Sequence, residues 1–391
     1  INNSNIKSTL QIMKNRGPDF QDYKNIFNDD INITLLHSRL SIIDLNERSN
    51  QPFVFKNNVL IFNGEIYNYI ELREHLKNKN YNFKTNSDTE VLIKLFDCYS
   101  EKAFSFLEGM WALAIYNTQS QELILSRDRF GEKPLNIHKT SHGIYFGSEA
   151  KFIEELCDLK FQANDLKTKH FLNYGYNSTF LNNQTFKKEI KSINESSYLI
   201  VDNNLNIKNN KYWKIKNNEI KKEIKNKELE ENIKELLTNA LKIRMRSDVK
   251  NIFCLSGGID SGSLVSLATK KLNNNIETFS IIDAKSNKYD ESNLIKHTIK
   301  DTGVKPYFLY TENINFFDSL RKIVKYYNSP IFTINYLLHA LMQEEISKKG
   351  FKVVISGNGA DEFFAGYYDH YLYHLADLRN NADNINYKIN F

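Results

Sequence analysis

Ser256-Gly257-Gly258-Ile259-Asp260-Ser261 is the run in this chain best suited to chemistry. Two adjacent glycines let a backbone turn tightly and bring its N–H groups against a ligand. A helix starting there points its positive end at the same spot, so an anion is favoured. Ser256 and Ser261 add hydroxyl donors, and Asp260 can hold Mg2+ that bridges phosphates. The run lacks the spacer and the Gly-Lys-Ser/Thr end of a P-loop. An ordinary glycine-rich strand-to-helix turn is the plain alternative. A second such turn is Ser356-Gly357-Asn358-Gly359-Ala360-Asp361-Glu362. Asp361 and Glu362 suit either metal ligation or the simpler task of stabilising a helix N-terminus.

The first half carries a different set: Arg16-Gly17-Pro18-Asp19, Arg39, Asn63-Gly64-Glu65 and Ser87-Asp88. Asn-Gly is a strong hairpin signal, and that is its plain reading. The chemical reading pairs the Asn63 side-chain amide with the Gly64 N–H as an oxyanion hole. Arg39 suits a bidentate carboxylate contact. Glu65 and Asp88 suit an α-ammonium. Together these groups would recognise a free amino acid.

The elements that must position these residues differ between the two halves. Leu35–Leu36, Val59–Phe62, Ala112–Tyr116 and Glu122–Leu125 read as short strands bounded by turn residues. Ile70–Lys77 and Thr89–Tyr99 read as helices, the second opened by Ser87 or Asp88. That mixture predicts an α+β fold of antiparallel sheets layered with helices. A connector rich in Asn, Lys and Glu covers 202–230, and apolar residues recur at helical spacing over Leu229–Arg246. Beyond it, Ile252–Leu255, Phe279–Ile282 and Val353–Ile355 are apolar strands. They alternate with helical runs around Ser263–Leu272 and Ser292–Lys300. That alternation predicts an α/β doubly wound domain with a parallel sheet. The expected division is 1–201, a connector 202–230, and 231–391.

Composition narrows the function classes. The 41% hydrophobic content is that of a globular protein. The 52 basic and 47 acidic residues leave a net charge of only +5, which gives no reason to expect a nucleic-acid partner. No apolar run approaches the roughly 20 residues that span a bilayer, so no membrane partner is expected. Cys98, Cys157 and Cys254 are odd in number, far apart, and without the spacing of a zinc site. They point to a reducing compartment, and the expected location is cytoplasmic.

Taken in order, ten segments resemble the glutamine-hydrolysing asparagine synthetases and their class II amidotransferase relatives. They are Arg16–Asp19, Arg39–Asp44, Asn63–Asn68, Ser87–Val91, Gly109–Ala114, Arg127–Pro134, Tyr212–Trp213, Arg246–Val249, Ser256–Ser261 and Ser356–Tyr367. The resemblance covers nearly the whole chain, and the first glycine run resembles the PP-loop of ATP pyrophosphatases. It implies an N-terminal nucleophile-type glutaminase domain followed by an ATP-pyrophosphatase synthetase domain. Glutamine hydrolysis would supply ammonia, and ATP would activate a carboxylate, in this family aspartate, as an acyl-adenylate. The products would be asparagine, AMP and pyrophosphate. Carried over by position, Arg39, Asn63, Gly64, Glu65 and Asp88 would bind glutamine, with Asn63 and Gly64 as the oxyanion hole. Leu255, Ile281, Ser356 and Gly357 would contact ATP, and Ser256, Gly257, Gly258, Asp260 and Ser261 its pyrophosphate. Mg2+ would sit near Asp260 and Asp361. Relatives are often dimers, so a homodimer is the implied assembly.

Two departures stand out. The family's nucleophile is an N-terminal cysteine, whereas this chain starts at Ile1, and none of its three cysteines can replace that residue. The expectation is that a short N-terminal stretch precedes Ile1, that a helical C-terminal region follows Phe391, and that the chain as it stands does not hydrolyse glutamine. Asn358 stands where the family commonly has a glutamate tied to the adenylate. Relatives associated with surface-polysaccharide gene sets also vary there and share a run like Gly366–His370. Amidation of a sugar carboxylate such as a uronic acid is therefore the second reading. A catalytically silent scaffold is the third.

Overall fold

The structure is a computed structural model that describes residues 1–27, 31–176, 183–215, 226–282 and 290–380. Its contacts divide into two units. The first comprises Ile1–Ile233 with Arg246–Lys250 and Asn315–Gln343; the second comprises Lys234–Met245, Asn251–Ile314 and the chain from Glu344. The middle of the expected connector, 216–225, lies outside the described residues.

In the first unit, helix α1 (Asn3–Met13) precedes the antiparallel pair β1 (Phe20–Phe27) and β2 (Asn32–Arg39), which sets Phe20 opposite Arg39. Strands β3 (Phe53–Phe55), β4 (Asn58–Ile66), β5 (Gly109–Asn117) and β6 (Glu122–Arg127) surround helices α2 (Tyr69–Lys77) and α3 (Asp88–Tyr99) in sequence. Strands β7 (Asn136–Lys139), β8 (Ile144–Gly147) and β9 (Lys191–Ser192) form a small antiparallel sheet, and α4 (Ala150–Cys157) and α5 (Asp165–Tyr174) lie between β8 and β9 in sequence. With β10 (Ser197–Val201) and β11 (Ile207–Lys211), the main sheet has six antiparallel strands in the order β11-β10-β6-β5-β4-β3.

Alternation along these strands gives the sheet two buried faces. Leu60, Phe62, Leu113 and Ile115 pack with Leu92, Ile93, Leu95 and Phe96 of α3. Val59, Ala112, Ala114, Tyr116, Leu123 and Leu125 pack on the other side with Leu35 and Leu199. The Asn63-Gly64 hairpin alternative fails here. Both residues sit inside β4, opposite Ala112 and Trp111 of β5.

The second unit begins in α6 (Asn226–Arg244), followed by β12 (Asn251–Cys254), α7 (Ile259–Ser266), β13 (Glu277–Ile282), α8 (Ser292–Thr302) and β14 (Lys305–Tyr310). The expected helix around Ser263–Leu272 starts earlier, at Ile259, and opens into a π-helical turn over Leu267–Lys271. Helix α9 (Phe316–Tyr327) and most of α10 (Asn335–Lys348) belong to the first unit; in sequence they come before β15 (Val353–Ile355), α11 (Ala360–Phe364) and α12 (Tyr368–Asn380). The four strands are parallel, in the order β14-β13-β12-β15. Phe253, Leu255, Val265, Ile295 and Ile355 form the core between sheet and helices. Among the described residues, no helix is long and apolar enough to cross a membrane.

One buried carboxylate organises the turn after β6. Asp128 is fully buried and accepts N–H groups from Trp111 (3.2 Å), Phe130 (3.1 Å), Glu132 (2.9 Å) and Lys133 (2.9 Å). Arg127 ties the same turn from its other side, donating to the carbonyls of Lys133, Gly131 and Ile193. Replacing Asp128 by Ala strands those four donors, at a cost of about 3 kcal/mol. Thermal unfolding of Asp128→Ala should show a first-unit transition several degrees lower; an unchanged transition would remove this carboxylate from the fold's essential contacts.

Candidate functional site

The first unit holds a cavity of about 510 Å3, and Arg39, Asn63, Gly64, Glu65 and Asp88 all line it. Asn63, Gly64 and Glu65 come from β4, Arg39 from the end of β2, and Asp88 from the first turn of α3. Ser87 caps α3 by accepting the Thr89 N–H at 3.0 Å. Asp88 accepts the Ile66 N–H at 3.0 Å, which pins the start of α3 to the end of β4. Gly64 allows β5 to come close, since a Cβ there would lie 2.0 Å from the Met110 carbonyl oxygen. The Asn63 side-chain amide donates to the Ser148 hydroxyl at 3.3 Å.

Arg39 is more committed than its type and position implied. Nη1 donates to the Asn46 carbonyl (3.0 Å) and to Asn50 Oδ1 (2.8 Å), while Nη2 donates to the carbonyls of Ile43 (3.3 Å) and Asp44. The guanidinium thus folds the 43–50 loop around itself at the cavity wall.

The cavity lining carries two carboxyl groups, Glu65 and Asp88, beside the cations Arg16, Arg39 and Lys133. Glu65 is buried, and burial pushes its pKa up to about 7, with Asp88 adding repulsion and Lys133 opposing it. Burial pushes Asp88 up to about 6, against the N–H groups of Ile66 and Thr89 that favour its charged form. His37 also lines the cavity but is neutral. Burial holds its pKa down to about 4, and Nε2 donates to the Phe62 carbonyl at 3.1 Å. Two desolvated carboxyl groups in one cavity favour a cationic ligand. An α-ammonium fits that need. Among the described lining residues there is no cysteine. Burial pushes the Cys157 and Cys254 thiols up to about 11, far from the thiolate form.

In the second unit, topology places both glycine turns. The chain moves from β12 out to β13 and β14, then returns to the opposite side of β12 as β15. The carboxyl ends of β12 and β15 therefore flank the switch point, where open parallel sheets bind ligands. Ser256–Ser261 leaves β12 there, and Ser356–Asp361 leaves β15 beside it. The turns touch: a Cβ on Gly357 would lie 3.0 Å from Asp260 Cβ and 3.2 Å from the Ser261 nitrogen. Leu255 is buried and donates its N–H to Phe279 of β13 at 2.9 Å, and Ile281 lies near the same end of β13. The first turn is laced internally. Ser261 Oγ accepts the Ser256 N–H at 3.0 Å, and Ser256 Oγ accepts the Gly258 N–H at 3.2 Å. Asn358 is exposed, and the Asp361 carboxyl is turned onto Gly366, where Oδ1 lies 2.0 Å from the place a Cβ would take.

Among the described residues, no three His, Cys, Asp or Glu side chains form a metal cage. A Mg2+ ion held mainly by phosphates needs only one or two carboxylates. Asp260, at the start of α7 and against Gly357, fits that lesser requirement.

Sequence reasoning missed three polar neighbours. Lys133 and His37 line the first cavity, and the Glu291 carboxylate accepts the Gly257 N–H at 2.8 Å. The Arg127–Pro134 segment was the only available signal for Lys133; nothing in the sequence pattern marked Glu291.

A family model for the glutamine amidotransferase domain matches residues 2–213, and one for asparagine synthase matches residues 232–386. The glutamine-hydrolysing asparagine synthetase 1 of Bacillus subtilis is 33% identical over 93% of this chain and 55% of its own length. A putative asparagine synthetase of Methanocaldococcus jannaschii is 31% identical over 93% of this chain and 73% of its own length. An amidase of Gibberella zeae is 27% identical over 93% of this chain and 55% of its own length. The chain thus spans about half to three quarters of the length of these curated relatives.

The raised Glu65 pKa has a consequence for stability. The folded chain holds this proton to about pH 7, while the unfolded chain loses it in the ordinary carboxylate range. Stability therefore falls as pH rises through that window. Glu65→Gln should stabilise the first unit by about 3 kcal/mol near pH 8 and by almost nothing near pH 4. Thermal melts at the two pH values check this, and an equal effect at both would refute the buried-charge account.

Proposed function

The chain belongs to the family of glutamine-hydrolysing asparagine synthetases, and from that premise we propose that it is the greater part of an ATP-dependent amide ligase. The observation that carries this reading is the pair of touching glycine turns at the switch point of a parallel sheet. The cavity with two buried carboxyl groups supports its glutamine half. The working division is a glutaminase domain over 1–201, a connector over 202–230, and a synthetase domain over 231–391.

Glu65 and Asp88 hold the α-ammonium of glutamine, and Arg39 shapes the wall that faces its carboxylate. Asn63 Nδ2 and the Gly64 N–H stabilise the oxyanion as the amide is cleaved. Water and glutamine give glutamate and ammonia; the family's nucleophile is an N-terminal cysteine, and among the described residues no cysteine lines this cavity. In the synthetase domain, Leu255, Ile281, Ser356 and Gly357 contact ATP. The α7 N-terminus with Ser256, Gly257, Gly258 and Ser261 holds the phosphates. Mg2+, near Asp260 and Asp361, would neutralise phosphate charge. An acceptor carboxylate oxygen attacks the α-phosphorus, and pyrophosphate leaves. Ammonia then attacks the activated carbonyl carbon, and AMP leaves with the carboxylate oxygen.

Aspartate is the acceptor most consistent with the family. Asn358 favours a second reading, a sugar carboxylate, because the turn has no carboxylate at that position. The proposed location is the cytoplasm and the proposed assembly a homodimer.

Two experiments test the two halves. L-Glutamine binding to the chain, measured by calorimetry, should weaken as pH falls through about 7 to about 6, where Glu65 and Asp88 take up protons and lose the ammonium. Glu65→Gln and Asp88→Asn should each lower the affinity about tenfold or more; flat pH dependence would remove the ammonium site. For the synthetase half, pyrophosphate release by the complete polypeptide with MgATP and glutamine is compared across aspartate and uronic acids. Release with aspartate, and asparagine formed, is expected. Release only with a uronic acid would move the acceptor to the second reading.

A further inference from the structure

The start of α8 contains two acidic residues with separate tasks. Asp290 does the capping: its Oδ1 accepts the Ser292 N–H at 3.1 Å and also takes the Ser292 hydroxyl. Glu291 occupies the N-cap position yet makes no cap hydrogen bond. Its side chain reaches out of the helix instead, and Oε2 accepts the Gly257 N–H at 2.8 Å.

The backbones are pressed together at the same point. A Cβ on Gly257 would lie 2.8 Å from Glu291 Cβ and 3.0 Å from Leu294 Cβ. The first residue of the glycine pair is therefore held twice by α8, through packing and through its N–H. The neighbouring N–H groups are tied differently. Those of Ser256 and Gly258 go to hydroxyls within the turn itself, on Ser261 and Ser256. Of these three N–H groups, that of Gly257 is bonded outside the 256–261 turn.

A glycine pair has no side chains with which to hold its shape, and its backbone samples more conformations than any other residue type. A turn that must be ordered on binding loses affinity in proportion to that freedom. We infer that Glu291 is a positioning residue of the nucleotide site, whose carboxylate oxygen braces Gly257 so that the α7 N-terminus and the Ser256 and Ser261 hydroxyls face the phosphates. This deepens the nucleotide reading of the turn and rests on it. The Gly257 N–H is then taken by the brace, and Gly257's share in holding the phosphates is the close backbone approach that a missing side chain allows. What the brace requires is an acceptor oxygen at that reach, not a negative charge.

The test compares Glu291→Ala and Glu291→Gln with the wild-type chain. MgATP and inorganic pyrophosphate are titrated by calorimetry, and thermal midpoints are recorded alongside. Glu291→Ala should weaken both ligands about tenfold, the loss of one hydrogen bond's ordering effect. Glu291→Gln, which keeps an oxygen in place, should stay within about threefold of wild type. Both variants should melt with the wild type. Undiminished binding by Glu291→Ala would overturn the proposal. So would an equal loss in Glu291→Gln, which would make the charge, and hence metal ligation, the operative property. Absence of MgATP binding by the wild-type chain would instead overturn the nucleotide reading, and this inference with it.

Discussion

Two carboxyl groups buried in one cavity impose the central constraint on the first unit. Glu65 and Asp88 are both desolvated; Lys133 opposes the charge of the first, and Arg39 and Arg73 lie near enough to oppose that of the second. Desolvation outweighs those cations for both groups, so the pair lowers stability as pH rises through its titration range. The surrounding structure holds them in place regardless. Asp88 is pinned by the Ile66 N–H, Gly64 lets β5 approach β4, and Arg39 folds a loop that closes the wall. Under the proposed function, the group that answers this arrangement is the α-ammonium of an amino acid.

The second unit meets a different requirement in the proposed function, the binding of an anion. Its answer is topological. The return of the chain from β14 to β15 opens a crevice at the carboxyl ends of β12 and β15, and each strand there ends in a glycine turn. Backbone N–H groups, serine hydroxyls and the α7 N-terminus replace side-chain cations. Because those donors are backbone, their geometry has to be held by neighbours. The contact of Gly357 with Asp260, and of Gly257 with α8, shows how closely the neighbours stand.

Much of this was legible in the sequence, for identifiable reasons. Two strands of the second half, β12 and β15, are apolar runs that lead into Ser-Gly turns, and Val353–Ile355 matches its expected limits. The Ser87 cap was readable because capping is local chemistry. The five residues expected at the amino-acid site do share one cavity, although they come from three separate elements. Where local signals misled, tertiary structure overrode them. Asn63-Gly64 has the letters of a hairpin, but the register with β5 runs straight through it. The commitments of Arg39 were not legible, because its partners are carbonyl oxygens, which every residue carries. Glu291 was not legible either. Its contact with Gly257 joins the N-termini of two helices 34 residues apart, and no periodicity marks such a pair.

The central claim is that an amino-acid site and a nucleotide site serve one reaction. Isotope transfer addresses that claim directly. The complete polypeptide is supplied with glutamine labelled with 15N in the side-chain amide, MgATP, an acceptor carboxylate, and excess unlabelled ammonium held at a pH where little free ammonia is present. The account predicts that the product amide carries the 15N label, with AMP and pyrophosphate formed in equal amount. A product amide that is unlabelled, or one accompanied by ADP and phosphate, would contradict it.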